Sequence, residues 1–398
     1  MPGTATLENA QEWSRVRKER QIELLERVAN AGERLEGLYG ESSMVNQASH
    51  YCNPERFEVE LEALFRGGPV FFCMSADLPQ PGDWRSMQLA GTPMVVVRQA
   101  DGSLRALVNI CRHRASSLVD SHGSGTGLKV FSCPYHAWTY EIDGKLRSRP
   151  AAERSFDDVA INCDLLNRPV AEKHGLIFER LSGDEAVDVD TALSGAQDDL
   201  GDFGLGDWTL VESRSEEWNL NWKFFYDSFS ETYHIRTLHR DTIGPAFTSD
   251  GIIFEPFGRN SLSIGLRSDT RDEFKKPKDT WSILPYGTIQ YFLPPTGMIV
   301  HQLDHLEVWN VEPLAVNRSR FTASVYAPTE PETEKSRDYF VKNLELLLNV
   351  TGTEDYPALE DIQRNLASGA LEHVVYGKIE APLVHFHQEI NKAVQAVS

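Results

Sequence analysis

CRHRASSLVDSHGSGTGLKVFSCPYHAWTYEIDGKLRSR, residues 111–149, carries a Cys-x-His pair and a Cys-x-x-His pair, with residues 114–132 between them. Each arm offers one thiolate and one imidazole: Cys111 with His113, and Cys133 with His136. Both arms follow strand-like runs, so two adjacent loop tips could present four ligands. A zinc site more usually pairs its cysteines in one arm and its histidines in the other. A split Cys/His, Cys/His set better suits a [2Fe–2S] cluster with two thiolates on one iron and two imidazoles on the other. Neutral imidazoles lower the negative charge on such a cluster and raise its potential, which makes it a useful electron relay.

Around these motifs the pattern is β. PMVVVRQADGSLRALVNI places two apolar runs about an Asp101-Gly102 turn, and WTYEIDGKLRSR repeats the device at Asp143-Gly144. VAEKHGLIFERL adds a further short strand. Residues 43–183 therefore read as a compact antiparallel module. Before it, from about Glu8 to Leu38, Trp13, Val16, Leu24, Leu25, Val28, Ala31, Leu35 and Leu38 recur at helical spacing, so residues 1–42 read as a helical arm packing with the domain formed by residues 184–398. Asp184–Gly206 is rich in Asp, Gly and Ala and reads as a linker. Beyond it, SEEWNLNWKFFYDSFSETYHIRTLH reads as helix, and strands are expected near Ser261–Leu266, Thr288–Phe292, Met298–Gln302, Leu306–Glu312 and Arg318–Ala327. Helices from about Pro331 to Asn349 and from Asp355 to Leu366 complete residues 184–398 as an α+β domain.

A second constellation lies in DSFSETYHIRTLH, residues 227–239. His234 and His239 stand at i and i+5, a step that rotates about 140° around a regular helix. They reach one metal only if the helix ends or bulges after His234. Glu231 and Asp227 precede His234 by three and seven residues, both on its helical face, where a carboxylate can orient a ligating imidazole.

The two constellations together resemble the Rieske non-haem iron oxygenases, specifically their large catalytic α subunit. CRHR and CPYHAWTYEIDGKL match the cluster loops, with Ala137 standing where that family usually has Gly. Glu231, His234 and His239 match E/D-x-x-H-x-x-x-x-H, and TEDYPALEDIQRNL matches the family's carboxylate tail through Glu354, Asp355, Glu360 and Gln363. The resemblance implies an all-β Rieske domain and a catalytic domain of one antiparallel sheet covered by helices (helix-grip, START-like). It implies that Cys111 and Cys133 bind one cluster iron and His113 and His136 the other. His234, His239 and Asp355 would hold a mononuclear Fe(II), with Glu354 as the alternative third ligand. Glu231 would link His234 to His136 of the partner subunit in a head-to-tail homotrimer. Electrons would come from NAD(P)H through a separate reductase, with or without a ferredoxin, to hydroxylate or dihydroxylate a small organic substrate with O2. Aromatic hydrocarbon catabolism is one outcome of that chemistry. Monooxygenation or dealkylation of a quaternary ammonium or other non-arene substrate is the alternative, towards which Glu rather than Asp at position 231 leans.

Composition bounds the rest. With 41% hydrophobic and 25% charged residues the chain is globular, and its net charge of -20 argues against nonspecific binding to nucleic acid or anionic lipid. Five scattered cysteines do not make a disulfide framework, and Cys52, Cys73 and Cys163 read as structural. No secretory signal is visible at the start and no apolar run spans a bilayer, so a cytoplasmic location is expected. Candidate pocket residues are Phe224, Phe229, Trp281, Tyr291, Phe292, Met298, Gln302 and Trp309, lining either an arene pocket or a cation–π cage. A non-catalytic Rieske electron carrier would need the cluster motifs alone, and a zinc-stabilised binding protein would need neither iron.

Overall fold

The computed structural model of the chain describes residues 17–150, 153–156, 158 and 160–397. The chain divides into two compact units: residues up to Leu64 together with those from Leu193 onward, and Phe65–Ala192. The architecture is α+β. No helix among the described residues is long and apolar enough to cross a membrane.

The Phe65–Ala192 unit is built from small antiparallel sheets. Thr92–Arg98 and Leu104–Val108 pair about the Asp101-Gly102 turn, and Thr139–Glu141 pairs with Leu146–Ser148 about Asp143-Gly144. VAEKHGLIFERL holds two strands rather than one. Val170–Lys173 and Leu176–Glu179 form a hairpin whose turn uses His174 at φ 56° and Gly175 at φ 77°. Val130–Ser132 pairs with Thr139–Glu141, so Cys133–Trp138 is the tip of a hairpin.

The other unit is a seven-stranded antiparallel sheet with helices. From edge to edge its strands are Thr209–Trp218, Arg318–Ala327, His305–Ala315, Gly297–Gln302, Gly287–Leu293, Asn260–Arg267 and Phe247–Phe257. All five strands expected from the sequence are there. The two edges were not foreseen. The sequence pattern leaves Thr209–Trp218 unassigned up to Arg214 and reads as helix from Ser215, because its charges, with Arg214 and Glu217 exposed and Glu212 and Glu216 half-buried, mask the strand alternation. Glu334–Val350 and Tyr356–Ala367 are helical as expected, joined through one π-helical turn at Thr351–Asp355. A further helix, Ala381–Gln395, buries Leu383, Val384, Phe386 and Ile390.

Two boundaries move. Residues 43–64 belong with the large sheet rather than with the cluster module, because Met44–Gln47 pairs antiparallel with His373–Tyr376. Residues 184–192 stay with the cluster module, where Asp190 accepts from His174 Nε2 at 2.7 Å. The expected linker is partly helical, at Val189–Leu193 and Gln197–Asp202. Of the amino-terminal arm, Trp13 and Val16 lie outside the described residues. The described helix, Lys18–Asn30, packs on the large sheet's unit, with Arg20 pairing to Asp199 at 3.1 Å and Glu255 at 2.8 Å.

Candidate metal centres and the cavity beside them

The helix that carries Asp227 ends at Phe229, and residues 230–234 are not helical. The break therefore precedes His234 instead of following it. Glu231 accepts the backbone N–H groups of Tyr233 and His234, and this local capping restarts the chain as a single helical turn, Ile235–Leu238. His234 stands at the entry of that turn and His239 at its exit, where ψ of 18° leaves the helix. One tight turn thus brings residues i and i+5 to the same side, with ring centroids 5.0 Å apart.

The carboxylate arrives from the other end of the unit. Glu360 accepts the backbone N–H of Asn219 at 3.0 Å, and Gln363 that of Asn221 at 2.8 Å, so the tail helix is locked to the turn before Lys223–Phe229. The same clamp sets the π-helical turn against the histidines. Asp355 Oδ1 lies 3.6 Å from His234 Nε2 and 3.4 Å from His239 Nε2, and accepts Ser228 Oγ–H at 2.9 Å. One ligand atom from each of His234, His239 and Asp355 falls within 4.8 Å of the others.

Both outer nitrogens are occupied. His234 Nδ1 meets Glu231, and His239 Nδ1 meets Glu354 Oε2 at 2.5 Å, which also accepts Thr242 Oγ1–H at 2.9 Å. Each Nε2 therefore points inward with its tautomer set, the arrangement by which a carboxylate orients a metal-binding imidazole. Glu354 is engaged by His239, which leaves Asp355 as the carboxylate facing both rings. Burial alone would lower the His239 pKa, yet Asp355 and Glu354 raise it. The site carries more negative than positive charge and favours a cation. Two imidazole nitrogens and one carboxylate oxygen fit a divalent transition metal, whose ligands at ~2.1 Å lie ~3 Å apart when mutually perpendicular.

Asp227 does not join them. With the helix broken, its i to i+7 alignment with His234 is lost. Its carboxylate instead accepts Tyr51 O–H at 2.5 Å and binds His387 Nε2 at 2.8 Å, in a buried network with Tyr376 and Asn46. This corrects the expectation that it orients a ligating imidazole.

In the cluster module the two loop tips share one turn. Ala115 N–H donates to Cys111 O at 3.0 Å, and Ala137 N–H to Cys133 O at 2.9 Å, each Ala with positive φ (60° and 55°). The turns put Cys111 and Cys133 into the apolar core with Phe131, Trp138 and Tyr140. The imidazoles lie further out, His136 being exposed, with centroids 4.7 Å apart. His113 stacks on Trp138 at 4.9 Å, and its Nδ1 is buried without a hydrogen-bond partner among the described residues. A buried nitrogen with no partner next to two buried sulfurs is what a metal cluster would satisfy. Tyr140 OH lies 3.3 Å from Cys111 Sγ, positioned to donate to a thiolate. Burial would raise the Cys133 pKa, but the N–H groups of His136 and Tyr135 bring it below the usual thiol value. All five cysteines are free of disulfides.

Residues 68–166 match the Rieske [2Fe-2S] domain, and residues 205–396 match the ring hydroxylating alpha subunit catalytic domain. The chain belongs to the Rieske oxygenases. This oxygenase is 27% identical to a carnitine monooxygenase oxygenase subunit from Acinetobacter baumannii, over 80% of its own length and 84% of the relative's. It is 26% identical to a putrescine 2-hydroxylase from Ralstonia nicotianae, over 71% and 76% of the two lengths. Its fold matches the crystal structure of a quaternary ammonium Rieske monooxygenase in complex with L-carnitine, with a TM-score of 0.73 at 23% identity, covering 87% and 94% of the chains. The Rieske oxygenase is an oxidoreductase that uses one [2Fe–2S] cluster, one mononuclear non-haem iron and O2.

A cavity of about 450 Å³ opens against His234, His239 and Asp355. This is a size suited to a small ligand. Its floor is the sheet. Side chains alternate faces along a strand, so Glu307 and His305, Val300 and Gln302, Gln290 and Thr288, and Gly265 share the cavity face through their cross-strand pairs. Of the pocket residues expected from sequence, Phe229 and Gln302 line this cavity and the other six do not. Trp309 packs in the core against Phe225 and Phe229, Phe224 stacks on Tyr51, and Tyr291 donates to buried Asp199. Sequence reasoning passed over Arg267, Asp304, His305 and Glu307. The signal it had was a carboxylate at an inward parity position of HLEVWN, a strand otherwise buried on both faces.

Proposed function

We propose that this Rieske oxygenase is the terminal component that hydroxylates a small quaternary ammonium or amine substrate. One observation carries the reading: the floor of the cavity beside the two imidazoles and Asp355 is polar and bears the carboxylate of Glu307, 5% exposed. Burying a carboxylate against an arene would cost several kcal/mol, which the one nearby imidazole, His305, shared with Asp304, offsets only in part. Against an ammonium group it becomes an attraction. The relatives that act on carnitine and putrescine support the same choice over arene dihydroxylation and aromatic hydrocarbon catabolism.

In this reading His234, His239 and Asp355 hold the mononuclear iron, while Cys111, Cys133, His113 and His136 hold the cluster. Bound there, the iron supplies an open site for reducing O2 and the cluster supplies stored electrons. Glu231 and Glu354 keep Nε2 of each histidine aimed inward. Glu231 also links His234 to the partner subunit's His136 in a head-to-tail homotrimer. The exposure of His136 and of Tyr135 beside it supports that contact. Electrons enter from NAD(P)H through a separate cytoplasmic reductase, with or without a ferredoxin. Phe229, Ile235 and Val350 form apolar walls that exclude water from the reacting carbon.

The test is oxygen uptake by the reduced holoenzyme across trimethylammonium compounds, aliphatic amines, aromatic acids and polycyclic arenes. Product formed in proportion to O2 with an ammonium or amine compound is expected. Coupled product from arenes, with ammonium compounds inert, would overturn the proposal.

A further inference from the structure

Two charged groups on the cavity floor lack a full set of partners among the described residues. Asp304 is satisfied: its Oδ1 lies 3.0 Å from His305 Nδ1 and its Oδ2 accepts Tyr339 O–H at 2.9 Å. Glu307 is not. Its only polar neighbour among the described residues is His305 Nε2 at 3.5 Å, beyond a good hydrogen bond, and that buried nitrogen has no other partner. On the same sheet face, three strands away, Arg267 stacks over the Phe247 ring at 5.4 Å and makes no ion pair among the described residues. Through Val300 and Gln290, Glu307 aligns with Ser263, four residues before Arg267, so three strand spacings and that offset set Glu307 and Arg267 ~20 Å apart at their backbones, a gap their long side chains narrow from both sides.

We propose that the cavity reads a zwitterion: Glu307, backed by His305 and Asp304, receives the ammonium group, and Arg267 receives a carboxylate at the other end of the same substrate. This rests on the ammonium reading above and adds the second charge and the residues that select for both.

Charge bookkeeping agrees with the geometry. Burial alone would lower the His305 pKa, but Asp304 and Glu307 hold it at about 9, so the imidazole is a cation at neutral pH. Burial would raise Asp304, but His305 and the Tyr339 hydroxyl hold it below the usual carboxylate value. Asp304 and His305 cancel, which leaves the Glu307 carboxylate as an uncompensated negative charge facing the cavity. A buried anion of this kind attracts a cation strongly because the surroundings screen it little. A quaternary ammonium group has no proton to donate and needs only proximity to the anion. The Arg267 guanidinium is a planar fork whose geometry matches a carboxylate. A diamine would place a second ammonium against Arg267, and like charges there repel.

The experiment is calorimetric binding to the oxidised holoenzyme, with no turnover, of four probes: 4-(trimethylammonio)butyrate, its carboxylate-free analogue butyltrimethylammonium, 1,4-diaminobutane and the aromatic acid benzoate. The zwitterion should bind roughly 10- to 100-fold tighter than butyltrimethylammonium. Glu307→Gln should weaken both ammonium probes by at least about tenfold. Arg267→Gln should erase the preference for the zwitterion while leaving butyltrimethylammonium unchanged, and Arg267→Lys should restore part of it. Cluster absorption and thermal midpoint confirm that each variant folds. An unaltered preference in Arg267→Gln, or tightest binding of the diamine, would overturn the zwitterion assignment while leaving an amine oxygenase standing. If no ammonium probe binds and an aromatic acid does, the ammonium reading itself falls with it.

Discussion

The two metal-binding regions are assembled in different ways. In the cluster module all four proposed donors lie within residues 111–136, on two loop tips that repeat one turn geometry. In the catalytic unit the histidines sit on one turn, while Asp355 comes from a π-helical turn more than a hundred positions later. The first site is local, and its motif carries most of its geometry. The second exists only once Glu360 and Gln363 have locked the tail helix to the turn at Asn219–Asn221. Two consecutive residues then embrace one ring, Glu354 on Nδ1 of His239 and Asp355 on Nε2.

If that difference is real, single substitutions should separate the two sites. Asp355→Ala should lose the mononuclear iron and at least about 100-fold in turnover, while the visible spectrum of the cluster persists. Iron retained at the wild-type level would place the third ligand elsewhere. Glu354→Gln should be milder, with the mononuclear iron stripped by a chelator at roughly 10- to 100-fold lower concentration, the usual effect of losing an orienting carboxylate. Glu231→Gln should keep both metals yet slow the passage of electrons into turnover, and a normal single-turnover rate would remove it from the electron path.

The cluster module should respond in potential and stability instead. Tyr140→Phe deletes the hydroxyl beside Cys111 Sγ and should lower the cluster potential by roughly 60 mV, the one-electron equivalent of ~1.4 kcal/mol. A redox titration reads this directly. Ala137→Gly should raise stability by about 1 kcal/mol, because Ala at φ 55° carries the left-handed penalty that Gly escapes. A lower melting point would mean that the Ala137 methyl group packs usefully.

A pH series probes the cavity floor. His305 has a folded pKa of about 9 against an ordinary 6.5. Its stabilising contribution is complete below pH 6.5 and is lost as pH rises through about 9. Wild-type thermal stability should therefore decline between neutrality and pH 9.5 more steeply than that of His305→Gln.

Much of this was legible from local pattern. The hairpins at Asp101-Gly102 and Asp143-Gly144 announce themselves because turn chemistry is short-range. The five inner strands show because they are buried, whereas the edge Thr209–Trp218 wears the charges of a solvated face. The membership of residues 43–64 was hidden, since Met44–Gln47 pairs with a strand near the far end of the chain. Asp227 was misread for a related reason. Its role depends on Tyr51 and His387, which no spacing around it reveals.

The sequence by itself supplied the proposed donors: two Cys/His pairs, an i, i+5 histidine pair and a carboxylate tail, whose residue types suit a [2Fe–2S] cluster and a non-haem iron. Tertiary structure alone decided which carboxylate faces the two imidazoles, where the helix breaks, and that Glu307 and Arg267 share a cavity floor. The physical reason is reach. Ligand type is a property of one residue, but convergence within 4.8 Å and cross-strand register arise only when distant segments pack.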